Sequence, residues 1–194
     1  MTTKIILLNG PPGCGKDTLA ERLEHECEDV NRCSFKDPLY NLVAAQFGMK
    51  VGELIGLMND RSAKEEPTIF LDGASPRGAM IYMSEAIIKP VFGKDAFGKL
   101  AAKLVVDDCI NVFSDSGFQE EVEPLFDVVP WAEVLLVRIH KRGTFEGDSR
   151  AHLDPNNFHM TINIDNNKGE EAFLDSAVGS IKKLGFLNTG DVNA

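Results

Sequence analysis

Lys16 lies in a stretch that contains three glycines, Asn9-Gly10-Pro11-Pro12-Gly13-Cys14-Gly15-Lys16-Asp17-Thr18, and this combination of residue types can hold phosphate. Successive N–H groups of a glycine-rich turn converge on one centre. A helix that follows adds the positive end of its dipole, and a lysine supplies a full charge that reaches the β and γ phosphates. Gly10, Gly13 and Gly15 permit backbone angles closed to other residues and leave room for a polyphosphate. The pattern G-x-x-x-x-G-K-[ST] is broken at one position, because Asp17 follows the lysine and the hydroxyl arrives one place later, at Thr18. An ionised Asp17 repels phosphate unless a magnesium ion or its waters intervene, or unless the side chain turns away to cap the helix start.

Further charged residues stand where elements end. Phe35 and Lys36 fall at the carboxyl end of a second strand, the edge at which open α/β sheets bind ligands. Phe35 suits either a base or the core. Asp115 follows the apolar run Cys109-Ile110-Asn111-Val112-Phe113, and an aspartate there serves magnesium, a substrate hydroxyl or a turn. Arg61 lies in the charged loop 59–67. Arg77 sits near the start of a helix capped by Ser75, where a cation opposes the dipole, so it is read as facing an anion. Arg138, Arg142 and Arg150 form the densest basic stretch. Residues 141–157, rich in Gly, Asp, Ser and Asn, suit a mobile lid that brings Arg142 or Arg150 onto transferring phosphates. His140, His152 and His159 lack metal-like spacing and are read as incidental.

These positions require a β and α alternation, and apolar patterning supplies it. Strands are expected at 4–8, 30–35, 109–113, 133–139 and 160–164. Helices are expected at 16–27, from 37 to about 48, at 51–58, from 76 to a break at Lys89-Pro90, and then at 96–106, 119–126 and 170–184. The fold class is α/β, a single three-layer domain over 1–194 with a mainly parallel five-stranded sheet. The last few polar residues are expected to fray.

Of the 194 residues, 43% are hydrophobic and 26% charged, which suits one globular domain with an ample core and excludes a disordered or fibrous chain. The net charge of −10 opposes a general surface for nucleic-acid polymers and favours small phosphorylated ligands gathered by local basic clusters. Cys14, Cys27, Cys33 and Cys109 form no C-x-x-C pair, so neither zinc nor a disulfide framework is indicated. No apolar segment is long enough to span a bilayer, and a cytosolic location without membrane partners is expected.

The stretch from Gly10 to Thr18 resembles the phosphate loop of nucleoside monophosphate kinases, and its Gly-Lys-Asp-Thr form resembles the bacteriophage deoxynucleoside monophosphate kinases. The resemblance extends to Phe35-Lys36-Asp37-Pro38-Leu39, Ser75-Pro76-Arg77, Phe92-Gly93-Lys94-Asp95, Ser114-Asp115 and Asp165-Asn166, in order along nearly the whole chain. It implies a P-loop kinase fold with a helical acceptor-binding insertion at about 36–105 and a lid at about 141–157. It implies transfer of the γ-phosphate of ATP, with Mg2+, to a deoxynucleoside 5′-monophosphate, in the host cytoplasm if the chain is phage-encoded. By that resemblance Gly10, Pro11, Pro12, Gly13, Cys14, Gly15, Lys16, Asp17 and Thr18, with Arg138 and Asn166, would bind ATP. Phe35, Lys36, Arg61, Arg77 and Asp115 would hold the acceptor, and Asp17, Thr18 and Asp115 the metal, directly or through water. Lys16, Arg77, Arg142 and Arg150 would act on the moving phosphoryl group. Many members of that family continue the Asp115 strand with an arginine, whereas here Ser116-Gly117-Phe118 follows. A kinase of another small acceptor and a nucleotide-operated switch are the alternatives. Base preference and subunit number, a homodimer included, stay open.

Overall fold

β1 (Lys4–Asn9) turns Ile5 and Leu7 to one face of a sheet and Ile6 and Leu8 to the other, and all four are fully buried in the computed structural model, which describes residues 2–187. A strand apolar on both faces must be central. β1 pairs in parallel with β3 (Ile110–Ser116) and with β4 (Val134–His140), while β2 (Val30–Cys33) joins β3 and β5 (Met160–Asp165) joins β4. The order is β2-β3-β1-β4-β5, and every pairing is parallel.

Helices cover both faces, which gives the three layers. On one side α1 (Lys16–Glu26) sets Leu19, Ala20 and Leu23, and α8 (Glu170–Lys183) sets Phe173, Ala177 and Ile181, against Ile6, Leu8, Val112 and Val137. On the other, Phe35, Ala101, Val122 and Leu125 pack on Ile5, Leu7, Phe113 and Leu136. Burial of each large side chain contributes roughly 1.5–3 kcal/mol, so these two clusters dominate the stability of the domain.

A separate cluster builds the insertion. α2 (Asp37–Phe47), α3 (Val51–Asn59) and α4 (Pro76–Ile81) bring Leu39, Val43, Leu54, Ala79 and Met80 together with Phe97. The break expected at Lys89-Pro90 is absent. α4 instead runs into π-helical turns over Tyr82–Ile88 and continues as α5 (Lys89–Phe92), with Pro90 in its first turn. Proline lacks an N–H and clashes with the preceding turn of an α-helix, and the wider π turns relieve both faults. α6 (Ala96–Ala101) and α7 (Gln119–Val122) are shorter than expected, each passing into a 3-10 turn. β3 is longer than expected and takes in Ser114 and Asp115. The expected fraying falls on 188–194, outside the described residues. Among the described residues no helix is long and apolar enough to cross a membrane, and all four cysteines are free.

Candidate functional site

The loop between β1 and α1 takes the form that its glycines allow. Gly13 and Gly15 have φ of 75° and 100°. Gly10 is required for packing, since a Cβ there would lie 2.7 Å from Cys14 Sγ and 2.9 Å from the Ile139 carbonyl oxygen. Gly15 begins α1 with no side-chain cap, which leaves the first-turn N–H groups for an anion. Lys16 folds back over its own loop, where Nζ donates to the carbonyl oxygens of Gly10 (2.7 Å) and Pro11 (2.8 Å). Burial pulls its pKa down, Cys14 opposes that, and the charge of Arg150 adds to it. Burial raises the Cys14 thiol, which is therefore neutral packing.

Asp17 does not cap α1. Its Oδ1 accepts from Ser114 Oγ at 2.8 Å, which joins the loop to the end of β3. Asp115, next along that strand, takes no open position either. Its Oδ1 accepts from Phe35 N (2.9 Å), and its Oδ2 from Ser34 Oγ (2.7 Å) and Lys36 N (3.3 Å), with Lys36 Nζ 4.0 Å away. The carboxylate braces the turn between β2 and α2, with both oxygens engaged by that turn. Of the two readings of Phe35 the structure shows core packing: the residue is 4% exposed and its ring lies 4.9 Å from that of Phe113.

The segment that follows β4 lies over the loop. Gly143, at φ 79°, abuts Pro11 and the carbonyl oxygen of Pro12 so closely that a Cβ would collide. Arg142 thereby lines a cavity of about 160 Å³ with Gly13, Gly15, Lys16, Asp17, Thr18, Asn166, Glu170 and Phe173. Asn166, at the end of β5, is 5% exposed and donates from Nδ2 to the Cys14 carbonyl oxygen at 2.9 Å. Arg150 is held by Asp148 and interacts electrostatically with Lys16, Asp17 and Asp115. Lys16, Asp17, Thr18, Lys36, Asp115, Arg142, Arg150 and Asn166 are thus gathered at the carboxyl ends of the strands.

Three expected residues stand apart from that group. Arg77 Nε donates to Glu65 Oε1 at 2.7 Å on the insertion, and this ion pair relieves the cation near the start of α4. Arg61 is exposed in the turn after α3. Arg138 does not line the cavity; its Nε is buried without a hydrogen-bond partner among the described residues, and its charge acts on His152.

Two residues that hold the site together were not anticipated. Asn9, fully buried at the end of β1, donates from Nδ2 to the carbonyl oxygens of Ser116 and Ala151 (both 3.1 Å), and its Oδ1 accepts from Leu153 N at 3.0 Å. The signal was present in the sequence as an amide ending an apolar strand just before glycine. His152 is not incidental. Its ring lies 4.6 Å from that of His140, tilted by 42°, and meets Phe145 edge-on, while Nδ1 lies 3.1 Å from Asn9 Oδ1. Because the Asn9 Nδ2 faces two carbonyls, Oδ1 must be the acceptor and His152 Nδ1 carries the hydrogen. Burial first, then the charges of His140, Arg138 and Lys16, lower this imidazole to about 4, so it is neutral at neutral pH.

Glu121, under the insertion, forms a second ionisable cluster. Lys89 Nζ lies 2.8 Å from Glu85 Oε1, 3.5 Å from Glu121 Oε1 and 4.6 Å from the centre of the Phe118 ring. Burial raises Glu121 to about 7 despite the lysine. For Lys89, burial works to lower the pKa but Glu85 and Glu121 outweigh it.

No protein-family model and no curated protein matches the chain. Among solved structures it is similar to a gluconokinase from Sinorhizobium meliloti 1021, with 14% identity, 94% of this chain and 93% of that one covered, and a TM-score of 0.46. It is also similar to a sugar kinase from Janibacter sp. HTCC2649 (11% identity, 96% and 99% covered, TM-score 0.45) and to shikimate kinase from Bacteroides thetaiotaomicron (12% identity, 96% and 100% covered, TM-score 0.45).

Proposed function

We propose that this chain is a kinase of small molecules that transfers the γ-phosphate of ATP, and that its acceptor is a deoxynucleoside 5′-monophosphate. One observation carries the reading: an uncapped glycine-loop helix bearing Lys16 faces Arg142 of the lid across a single cavity, with Arg150 acting on Lys16 from the same lid. The sequence resemblance supplies the acceptor class.

Phosphoryl transfer to an acceptor that is itself a phosphate needs alignment and neutralised charge more than a strong base. Lys16, released from the Gly10 and Pro11 carbonyls, would meet the β and γ phosphates, and the first-turn amides of α1 would meet the rest. Arg142 and Arg150 would stabilise charge on the group in flight. A lid seated on Pro11 and Pro12 would keep out water, which otherwise competes as acceptor. No step is asked of a histidine or a thiol.

Magnesium fits this site as a partner of the nucleotide. Among the described residues no cluster of three His, Cys, Asp or Glu side chains could cage a metal. Mg2+ prefers one or two protein oxygens with phosphates and waters, and the Thr18 hydroxyl and the Asp17 carboxylate meet that need. When bound, the ion neutralises charge on the phosphates. Asp17 and Ser114 would orient its waters, and Asp115 would hold the Lys36 turn against the acceptor.

The test is ADP formation from Mg-ATP with dAMP, dGMP, dCMP, dTMP and each ribonucleotide supplied singly, beside a blank without acceptor. Stimulation by one or more deoxynucleotides is expected. A flat response over the blank would move the reading to a different small acceptor or to a nucleotide-operated switch.

A further inference from the structure

Gly117 and Arg150 compete for the same volume. A Cβ on Gly117 would lie 2.7 Å from Cβ and Cγ of Arg150 and 2.8 Å from its Cδ, so the stem of the arginine runs flat over the end of β3. The main chain follows it there, with Ala151 N donating to the Gly117 carbonyl oxygen at 3.3 Å. The head of the arginine is held by a single carboxylate. Asp148 Oδ1 accepts from the Arg150 backbone N and from its Nε, both at 2.9 Å, and Oδ2 accepts from Nη2 at 2.7 Å. The two side chains are only 18% and 17% exposed. Asp148 thus grips one edge of the planar fork and leaves the other edge, Nη1 with the second hydrogen of Nη2, for a different anion.

Arg142 is built differently. It is exposed and lines the cavity, and among the described residues no side-chain hydrogen bond holds it. Of the two arginines only Arg150 is tethered by a carboxylate.

We propose that Asp148 is a positioning residue for phosphoryl transfer: through the space left by Gly117 it fixes Arg150 beside Lys16 as the standing cation of the site, with the free edge of its guanidinium turned to the phosphates. The inference rests on the phosphoryl-transfer reading. It also accounts for Ser116-Gly117-Phe118, because an arginine at position 117 would displace the stem of Arg150.

The sign of one substitution separates positioning from mere proximity. Asp148→Asn keeps the shape and removes a negative charge, so a bystander carboxylate would on neutralisation tighten anion binding. A carboxylate that orients the arginine would loosen it. Tripolyphosphate binding, measured by calorimetry without acceptor, and kcat and KM for ATP with acceptor are read for the native chain, Asp148→Asn, Arg150→Ala and the double variant, each checked by circular dichroism. The expected result is tripolyphosphate affinity and kcat lower by about tenfold in Asp148→Asn. The double variant should lose no more than Arg150→Ala alone, since Asp148 acts through Arg150. Gly117→Ala, which reaches the stem from the other side, should lower kcat in the same direction. Tighter tripolyphosphate binding by Asp148→Asn, or losses that add in the double variant, would overturn the proposal. If the native chain forms no acceptor-dependent ADP, the proposed function fails, and the order of tripolyphosphate affinities alone then decides the role of Asp148.

Discussion

Lys16 and Gly10 close the phosphate loop upon itself, the Lys16 ammonium lying 2.7 Å from the Gly10 carbonyl oxygen and 2.8 Å from that of Pro11. The lysine is 7% exposed, so these two carbonyls stand in for the oxygens that a nucleotide would bring. Lys16→Ala should lower kcat by about a hundredfold to a thousandfold, the loss typical when a donor to developing charge is removed. The checks are acceptor-dependent ADP formation and circular dichroism, and near-normal turnover by a native fold would refute the role.

Gly143 and Pro12 set how closely the segment after β4, the proposed lid, approaches the loop. A side chain at Gly143 meets the Pro12 carbonyl oxygen, and its φ of 79° costs an L-residue about 1–2 kcal/mol. Gly143→Ala should raise the lid, increase KM for ATP several-fold and leave KM for the acceptor nearly unchanged. Steady-state kinetics with each substrate varied in turn would read the difference, and equal changes in both constants would count against a lid that serves the nucleotide.

Arg77 is bound to Glu65 with both side chains about half exposed, at 49% and 51%. Such a pair is worth about 0–1 kcal/mol, so in the proposed acceptor role a phosphate would displace Glu65 at little cost. Arg77→Ala should therefore weaken the acceptor and spare ATP. Titration of each nucleotide against the variant decides it, a selective loss of ATP binding being the adverse outcome.

Glu121 makes stability depend on pH in the sense opposite to that of most carboxylates. Its folded pKa is raised from 4.5 to about 7, chiefly by burial. The stability associated with its protonated form is full below pH 4.5 and is lost as pH rises through 7, a change of about 3 kcal/mol at most. The Glu121→Gln variant should gain in Tm relative to the native chain as pH goes from 5 to 8. A Tm difference that stays constant across this range would show that Glu121 titrates as an ordinary exposed acid.

Period and punctuation made most of the fold readable. The three central strands were readable because burial on both faces leaves few alternatives to Val, Leu, Ile and Phe, whereas β2 and β5 at the edges are only partly buried. The phosphate loop was readable because its function depends on backbone freedom, which glycine spells out. Side-chain partners were less so. Nothing local in Arg77 announces Glu65, and nothing in Asp115 tells a brace from a ligand, since each depends on a partner brought in by tertiary structure. Pro90 misled for a related reason. Its cost was assessed against an α-helix, and π turns altered the reference. Gly117 and Arg150 were each noticed, but their shared volume exists only once the lid is laid against β3.

Asn9 has a consequence for the order of assembly. Its one amide ties points 107 and 144 residues away, at Ser116 and Leu153. The strand that leads into the phosphate loop therefore waits for partners from the far half of the chain, and closing such large loops lowers the folding rate. A nascent chain that has emerged only through α6 already contains every residue from Gly10 to Thr18, yet none of the neighbours that fix β1. If the proposed nucleotide role holds, the loop would reach its binding form only after β3 and β4 have joined β1.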